Sequence, residues 1–252
     1  MKLECLRVIE NHQLALDTYE MRLQGEVLPI LSQPGQFIHL KIGQVSEFML
    51  RRPVSIADVD REEKSITIIY KVVGHGTNWL STRIIGDEID GLGPLGNGFS
   101  LQQHKGESIL LVGGGVGVPP LYYAAKELSK HNHVTAVLGF QTSEAIFYES
   151  EFSQIAKTWI TTDDGSYGYS GLVTELIASL GSFTTYYACG PNGMLKSVQS
   201  QLSDIKGYLS LEERMGCGIG ACLACVCQTR CNKGYIKICK DGPVVNADEV
   251  IL

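Results

Sequence analysis

The chain has 252 residues, of which 44% are hydrophobic and 19% charged, enough apolar sequence for two ordinary globular domains and a smaller appendage. Its net charge of −6, without a basic stripe, excludes nucleic acid as an expected partner. Charged residues interrupt the first apolar residues, and no stretch approaches the roughly 18 apolar residues of a membrane span. We therefore expect a cytoplasmic protein without a secretion signal or a membrane anchor.

The first part of the chain, residues 1–102, is predicted to consist of short β-strands. Apolar and polar residues alternate in the stretches 19–24, 38–42 and 65–73, and this period of two is typical of strands with one buried face. Glycine and proline residues separate the stretches as turn signals. Several short antiparallel strands divided in this way indicate a small closed barrel or a sandwich.

The second part, residues 103–205, has a different pattern. Ser108–Val112 is a continuous apolar run, typical of a strand buried on both faces, and a glycine-rich segment follows it at residues 113–120. A helical pattern then begins, with Leu121 and Leu128 on its apolar face. Because strand-like and helical stretches continue to alternate, this part is predicted to be an α/β domain with a parallel sheet.

Two loops of the α/β part are candidates for binding a dinucleotide. The glycine-rich loop at 113–120 joins a buried strand to a helix, where a pyrophosphate meets a helix N-terminus. The loop that begins at Cys189 has the same position after a later strand, and both would emerge at the carboxyl edge of the sheet. The alternatives are a tight strand–helix turn without a ligand and, for Cys189, a small buried strand residue.

The third part, residues 206–252, is rich in cysteine. Six of the eight cysteines lie between Cys217 and Cys239. In a reducing compartment such crowding indicates metal binding rather than disulfides. A segment this short buries little core, so we expect a metal centre to organise it.

The spacing of these cysteines favours an iron–sulfur cluster. Cys217, Cys222 and Cys225 match the plant-type spacing. Three later cysteines, Cys227, Cys231 and Cys239, are candidates for the fourth ligand. We favour Cys239, because its short alternating strand can return to the loop. A four-cysteine zinc site is the alternative, but it usually has two Cys-x2-Cys knuckles, and this segment has one.

A third candidate site lies between the predicted barrel strands. Arg51 to Ser55 combine arginine, a fixed proline and a hydroxyl, which suit a phosphate and a flavin. Gly76 and Thr77 could offer amides and a hydroxyl to the same ligand. Such a segment is also compatible with an ordinary surface loop.

Taken together, these segments resemble the ferredoxin–NADP⁺ reductase superfamily over nearly the whole chain. Arg52-Pro-Val-Ser55 is similar to its flavin motif, and the two glycine loops are similar to its nicotinamide motifs. The C-terminal part, from Arg214 to Pro243, closely resembles one family within it, the electron-transfer subunits of class 1B dihydroorotate dehydrogenases.

This resemblance implies a multidomain fold of a flavin barrel, an α/β nucleotide domain and a small [2Fe–2S] module, with no catalytic group beyond bound FAD. The implied FAD contacts are Arg52, Pro53, Val54, Ser55, Ile69, Tyr70, Lys71, Gly76 and Thr77. The implied NAD contacts are Gly113, Gly114, Gly115, Gly117, Cys189, Gly190 and Pro191. The implied cluster ligands are Cys217, Cys222, Cys225 and Cys239. NAD is expected rather than NADP, because residues 139–142 offer no cation for a 2′-phosphate.

The resemblance also implies the reaction. Dihydroorotate reduces FMN on a separate catalytic subunit, and electrons pass through the [2Fe–2S] cluster and FAD to NAD⁺, a step of pyrimidine (UMP) biosynthesis. The expected assembly is a heterotetramer with two copies of each subunit. One alternative is a reductase subunit serving a sulfide dehydrogenase, glutamate synthase or hydrogenase. The others are a stand-alone reductase and a zinc-stapled regulatory module.

Overall fold

The computed structural model describes residues 1–43, 48–230 and 234–252, and its N-terminal part is a closed antiparallel barrel. Its elements are β1 (Lys2–Ala15), β2 (Thr18–Gln24), α1 (Leu28–Leu31), β3 (Phe37–Leu40), β4 (Arg52–Asp60), β5 (Ser65–Lys71), α2 (His75–Ser81) and β6 (Glu88–Leu95). The strands follow the order β1-β2-β5-β4-β3-β6 around the barrel. The predicted antiparallel barrel is confirmed.

The alternation in β3 separates two cores. Ile38 and Leu40 point into the barrel, where they pack with the buried alternating residues of β2, Met21 and Leu23. Phe37 lies on the opposite face of β3 and packs into a core that also contains residues of the C-terminal part. Both faces of β3 are therefore covered, which explains why all of its residues are buried.

The middle of the chain forms the predicted parallel sheet. Its elements are β7 (Ser108–Gly114), α3 (Val118–Leu128), β8 (His133–Phe140), α4 (Glu149–Ser153), β9 (Lys157–Thr162), β10 (Tyr169–Ser170), α5 (Val173–Ile177), β11 (Thr185–Cys189), α6 (Asn192–Gln201) and β12 (Lys206–Ser210). Single 3₁₀ turns lie at Gly115–Gly117 and Ser143–Ala145. The apolar face of α3, which includes Leu121 and Leu128, is buried against the sheet as predicted.

The C-terminal part joins both larger units. It contains β13 (Val226–Gln228), β14 (Tyr235–Lys237), α7 (Ile238–Asp241), β15 (Val244–Asn246) and a 3₁₀ turn at Ala247–Glu249. The sheet order is β10-β9-β8-β7-β11-β12-β15, parallel except for β15, and β13 and β14 form a separate hairpin. The domain boundaries stay a prediction; β12, on the C-terminal side of the predicted boundary at 205/206, pairs with β11.

The C-terminal part is also attached directly to the barrel. The Asn97 amide donates to the carbonyl of Gly242 at 2.6 Å, and its side chain donates to the carbonyl of Asp241 at 3.0 Å. Phe37 and Leu95 of the barrel share one buried core with Ile238. These contacts place the cysteine segment over the outer face of β3. Among the described residues, no helix is long and apolar enough to cross a membrane.

Candidate functional site

A cavity of about 690 Å³ lies at the carboxyl edge of the parallel sheet. The loops after β7 and β11 line it with residues 114–116 and 190–194, and Gln141 and Asp163 line it after β8 and β9. Ligands of open α/β sheets bind at this edge. The structure thus brings the two predicted nucleotide loops together around one cavity large enough for part of a dinucleotide.

Three of the predicted NAD residues lie behind this cavity rather than on its surface. Gly113, Gly117 and Cys189 are buried, and Cys189 is fully inaccessible. A Cβ atom on Gly117 would lie 2.2 Å from the carbonyl oxygen of Cys189. These residues hold the two loops at backbone contact, while Gly114, Gly115, Gly190 and Pro191 line the cavity.

Glu212 lines the same cavity and was not singled out by the sequence patterns. It follows β12, just beyond the sheet's carboxyl edge. The side chain is exposed where it borders the cavity, and the protein packed around it displaces part of the water near its carboxyl, which raises its pKa to about 7. An acidic residue just after a strand could have indicated a contact to the nucleotide. It was missed because residues 206–252 were predicted to belong to the cysteine-rich part.

The flavin motif occupies β4, and alternation divides its residues between two faces. Val54 packs in the barrel core, whereas Pro53 and Ser55 are half-buried on the outer face. On β5, Tyr70 points into the barrel and donates to Asn11 at 3.0 Å. The predicted flavin residues on the outer face are therefore the ones whose side chains are available to a ligand.

The remaining predicted flavin residues extend this outer face. Arg52 lies over Gly76, where an added Cβ would meet the guanidinium Nε at 2.8 Å. The Thr77 hydroxyl accepts a hydrogen bond from the Val73 amide at 3.0 Å and fixes the turn before α2. Ile69 is buried in the core between the barrel and the sheet.

Lys71 connects the outer face to the nucleotide cavity, which it lines together with Thr18. The face therefore combines a guanidinium, a hydroxyl and an ammonium group beside a nucleotide cavity. Such donors suit the phosphates and the polar ring edge of FAD.

The cysteine loop directs backbone N–H groups at sulfur. The amides of Ile219, Ala221 and Cys222 donate to Cys217 Sγ at 3.4, 3.2 and 3.4 Å. The Gly220 amide donates to Cys239 Sγ at 3.1 Å. The loop is thus built to solvate thiolates with its own amides.

The other two predicted ligands belong to the same network. The Cys239 amide donates to Cys225 Sγ, and the Cys217 amide donates to Cys222 Sγ, both at 3.4 Å. Cys227 lies apart, with its Sγ directed at the carbonyl of Gln228 at 3.6 Å. Cys231 lies outside the described residues. The donor set fits a centre held by four thiolates.

The surroundings of the predicted ligands favour the ionised form of Cys217 but not that of Cys239. Partial burial raises the pKa of Cys217, but the amides that donate to its sulfur outweigh burial and lower the pKa to about 6. Burial and the neighbouring Cys225 raise the pKa of Cys239 to about 12. Four thiolates in one hydrogen-bond network repel one another, so bound metal ions are needed to keep all four ionised.

Comparisons with known proteins agree with this geometry. Residues 212–251 match the model of the iron–sulfur cluster binding domain of dihydroorotate dehydrogenase B, and residues 111–200 match the oxidoreductase NAD-binding domain. The chain is 46% identical to the electron transfer subunit of dihydroorotate dehydrogenase B (NAD(+)) from Shouchella clausii, covering 98% of this chain and 97% of the relative. It is 48% identical to the same subunit from Geobacillus sp. (strain WCH70), covering 100% of both chains.

Solved structures share the fold. A structure of NADH-dependent reduced ferredoxin-NADP oxidoreductase superposes with a TM-score of 0.88 at 30% identity, covering 98% of this chain and 89% of that one. The cytochrome P450 reductase GcoB of Amycolatopsis has a TM-score of 0.70 at 22% identity, covering 81% of this chain and 66% of that one. The second similarity concerns the fold alone.

Proposed function

The chain belongs to the family of electron transfer subunits of NAD-dependent dihydroorotate dehydrogenase B, and from this premise we propose that it carries electrons from a catalytic partner subunit to NAD⁺. The partner oxidises dihydroorotate in pyrimidine biosynthesis and holds FMN. When bound to this chain, the cluster carries single electrons, and FAD exchanges both single electrons and the hydride that nicotinamide requires. Two copies of each subunit form the assembly, which works in the cytoplasm.

The observation that carries this proposal is the position of the four-cysteine network. The loop that contains Cys217 is seated on β3, which pairs with the β4 strand that carries Pro53 and Ser55. At its other end, the outer face that carries Pro53 and Ser55 reaches the nucleotide cavity through Lys71. The order of the proposed cluster ligands, the proposed flavin contacts and the cavity along the chain's surface supports the proposed electron route.

The residues of the cavity support NAD rather than NADP. Gln141 and Asp163 line it after two successive strands, where the nucleotide ribose of an α/β domain is recognised. Apart from Lys71, which comes from the barrel, its lining in the described part of the chain contains no cationic side chain. A 2′-phosphate next to Gln141 and Asp163 would face a carboxylate, and the described residues that the α/β domain contributes to the lining offer no cation to compensate for it.

The partner is proposed to cover the cysteine loop. Apolar side chains of this loop and of the adjacent hairpin are exposed: Ile219, Leu223, Val226 and Tyr235. Exposed apolar clusters of this kind mark protein interfaces. A partner seated there shields the cluster ligands and brings its own redox centre close to them.

Reconstitution with the catalytic subunit tests the proposal. The two chains are co-expressed, purified through a tag on the catalytic subunit, and assayed for NAD⁺ reduction driven by dihydroorotate. Val226→Lys should weaken co-purification and activity, whereas Ile84→Lys, at an exposed apolar residue of the barrel part, should leave both unchanged. A chain that reduces an artificial acceptor with NADH but neither binds the subunit nor accepts its electrons would instead be a reductase for another partner.

A further inference from the structure

His39 is a buried histidine whose two ring nitrogens, Nδ1 and Nε2, have no hydrogen-bond partner in the described part of the chain. It lies on β3 with none of its surface exposed. Burial, followed by the charges of Arg51 and Arg52, lowers the pKa of its imidazole to about 4. The ring is neutral at physiological pH and carries one N–H donor, which buried groups rarely leave unpaired.

The flavin strand is the neighbour of His39 on one side. In the antiparallel register of β3 and β4, His39 lies opposite Pro53, and Phe37 lies opposite Ser55. Side chains directly opposite one another project from the same face of a sheet. Since Ile38 and Leu40 fill the barrel interior, His39 is on the outer face together with the predicted flavin contacts.

The cysteine loop is its neighbour on the other side. A Cβ atom on Gly218, the residue after Cys217, would lie 2.5 Å from His39 Nδ1 and 3.0 Å from Cε1. Gly218 also has a φ of 71°, in the left-handed region that favours glycine. The Nδ1 edge of the ring is therefore in contact with the loop backbone at the point where the first cluster ligand leaves it.

We propose that His39 donates its Nδ1–H to a sulfur of the iron–sulfur cluster and thereby sets the potential of that cluster relative to the flavin. This inference rests on the proposed function, because it requires the cluster. Among the described residues, Cys217 Sγ already accepts three amide donors and makes no bond with His39. The acceptor assigned to this N–H is therefore an inorganic sulfur, which the four cysteines would hold as part of the cluster when it is bound.

The expected effect follows from charge. Reduction adds an electron to the cluster, so a donor at its sulfur stabilises the reduced form and raises the potential. Losing one hydrogen bond to a charged group should shift the equilibrium between oxidised and reduced cluster by about tenfold. For a one-electron couple this equals about 59 mV towards lower potential.

Three variants separate the hydrogen bond from packing. His39→Leu removes both nitrogens, and His39→Asn places an amide nitrogen near the position of Nδ1. Phe37→Leu alters an apolar side chain on the same face, with ring centroids 6.4 Å from His39, without removing a donor. Each holoprotein is titrated anaerobically, with the cluster followed by EPR and the flavin by absorbance, alongside iron and flavin assays. Pulsed EPR of the reduced cluster in protein labelled with ¹⁵N-histidine detects the nitrogen directly.

The proposal predicts ¹⁵N coupling in the wild type that disappears in His39→Leu, where the cluster potential also falls. It predicts that His39→Asn restores most of the potential and that Phe37→Leu changes it little. Unchanged cluster potentials without ¹⁵N coupling, or a shift confined to the flavin, would overturn it. If His39→Leu does not retain iron, the ¹⁵N coupling in the wild type and the cluster potential of His39→Asn still test the hydrogen bond. A wild-type protein without an iron–sulfur signal would instead refute the proposed function.

Discussion

Replacing Gly117 by alanine adds one methyl group that should push the two nucleotide loops apart. It lies in the 3₁₀ turn between β7 and α3, with a φ of −78°, so alanine would adopt this backbone without strain. Its Cβ, however, would lie 2.2 Å from the oxygen and 2.3 Å from the carbon of the Cys189 carbonyl, and 2.5 Å from the Gly190 nitrogen. Because these are backbone atoms, no side chain can rotate away to make room.

The magnitude follows from this geometry. Reaching an ordinary contact requires the loops to move apart by about 1 Å, and overpacking of this kind costs typically about 1–3 kcal/mol. With rigid backbone as the obstacle, we expect Gly117→Ala to lie at the upper end, about 3 kcal/mol. At about 2–4 °C per kcal/mol for a chain of this size, the melting temperature should fall by about 6–12 °C.

The assay combines thermal unfolding with the rate at which NADH reduces the bound flavin. Gly117→Ala should lower both the melting temperature and the apparent affinity for NADH, because the displaced loops line the cavity. Gly181→Ala is the matched control, since a Cβ there meets no described atom within 4 Å. If Gly117→Ala has the same melting temperature as Gly181→Ala and retains wild-type NADH kinetics, the predicted clash at Gly117 does not occur.

Three further predictions concern the sites. Cys239→Ser should lose the cluster, measured as iron and visible absorbance, whereas Cys227→Ser, outside the sulfur network, should retain it; the opposite result would refute the ligand set. NADH should reduce the flavin far faster than NADPH, because Asp163 faces the cavity; equal rates would contradict this assignment. Glu212, with a pKa raised to about 7, is neutral below that pH and negative above it, so its ionisation should favour the cationic ring of NAD⁺. The ratio of NAD⁺ to NADH affinities, measured by binding titrations, should therefore rise with pH through 7 in the wild type and stay flat in Glu212→Gln. The same pH profile in both proteins would show that the Glu212 carboxylate does not act on the nicotinamide ring.

Local pattern was enough to predict the fold class. Met21 and Leu23 alternate with polar neighbours because one face of β2 is buried, and the continuous apolar run of β7 reflects burial on both faces. The glycine loops after β7 and β11 were recognisable because a parallel sheet places such turns at one edge. These features depend on short-range periodicity, which sequence records directly.

Long-range placement was not predictable in the same way. Glu212 belongs to the nucleotide cavity because β12 pairs with β11, and β15 then returns to pair with β12. Cys239 was expected in a strand, but the strand ends at Lys237 and the cysteine lies in α7. No sequence pattern indicated a role for His39, because its place beside the cysteine loop results from the packing of Gly218 against its ring. Contacts between distant segments determine the surroundings of Glu212 and His39.

The proposed electron route is tested directly by an anaerobic titration of the purified chain with NADH, followed by visible absorbance and EPR. We expect bound FAD together with iron and sulfide in the ratio of a [2Fe–2S] cluster. NADH should bleach the flavin and then produce the EPR signal of the reduced cluster. Protein that holds zinc and no flavin, or a cluster that NADH never reduces through the flavin, would contradict an electron route from the cysteine loop to the nucleotide cavity.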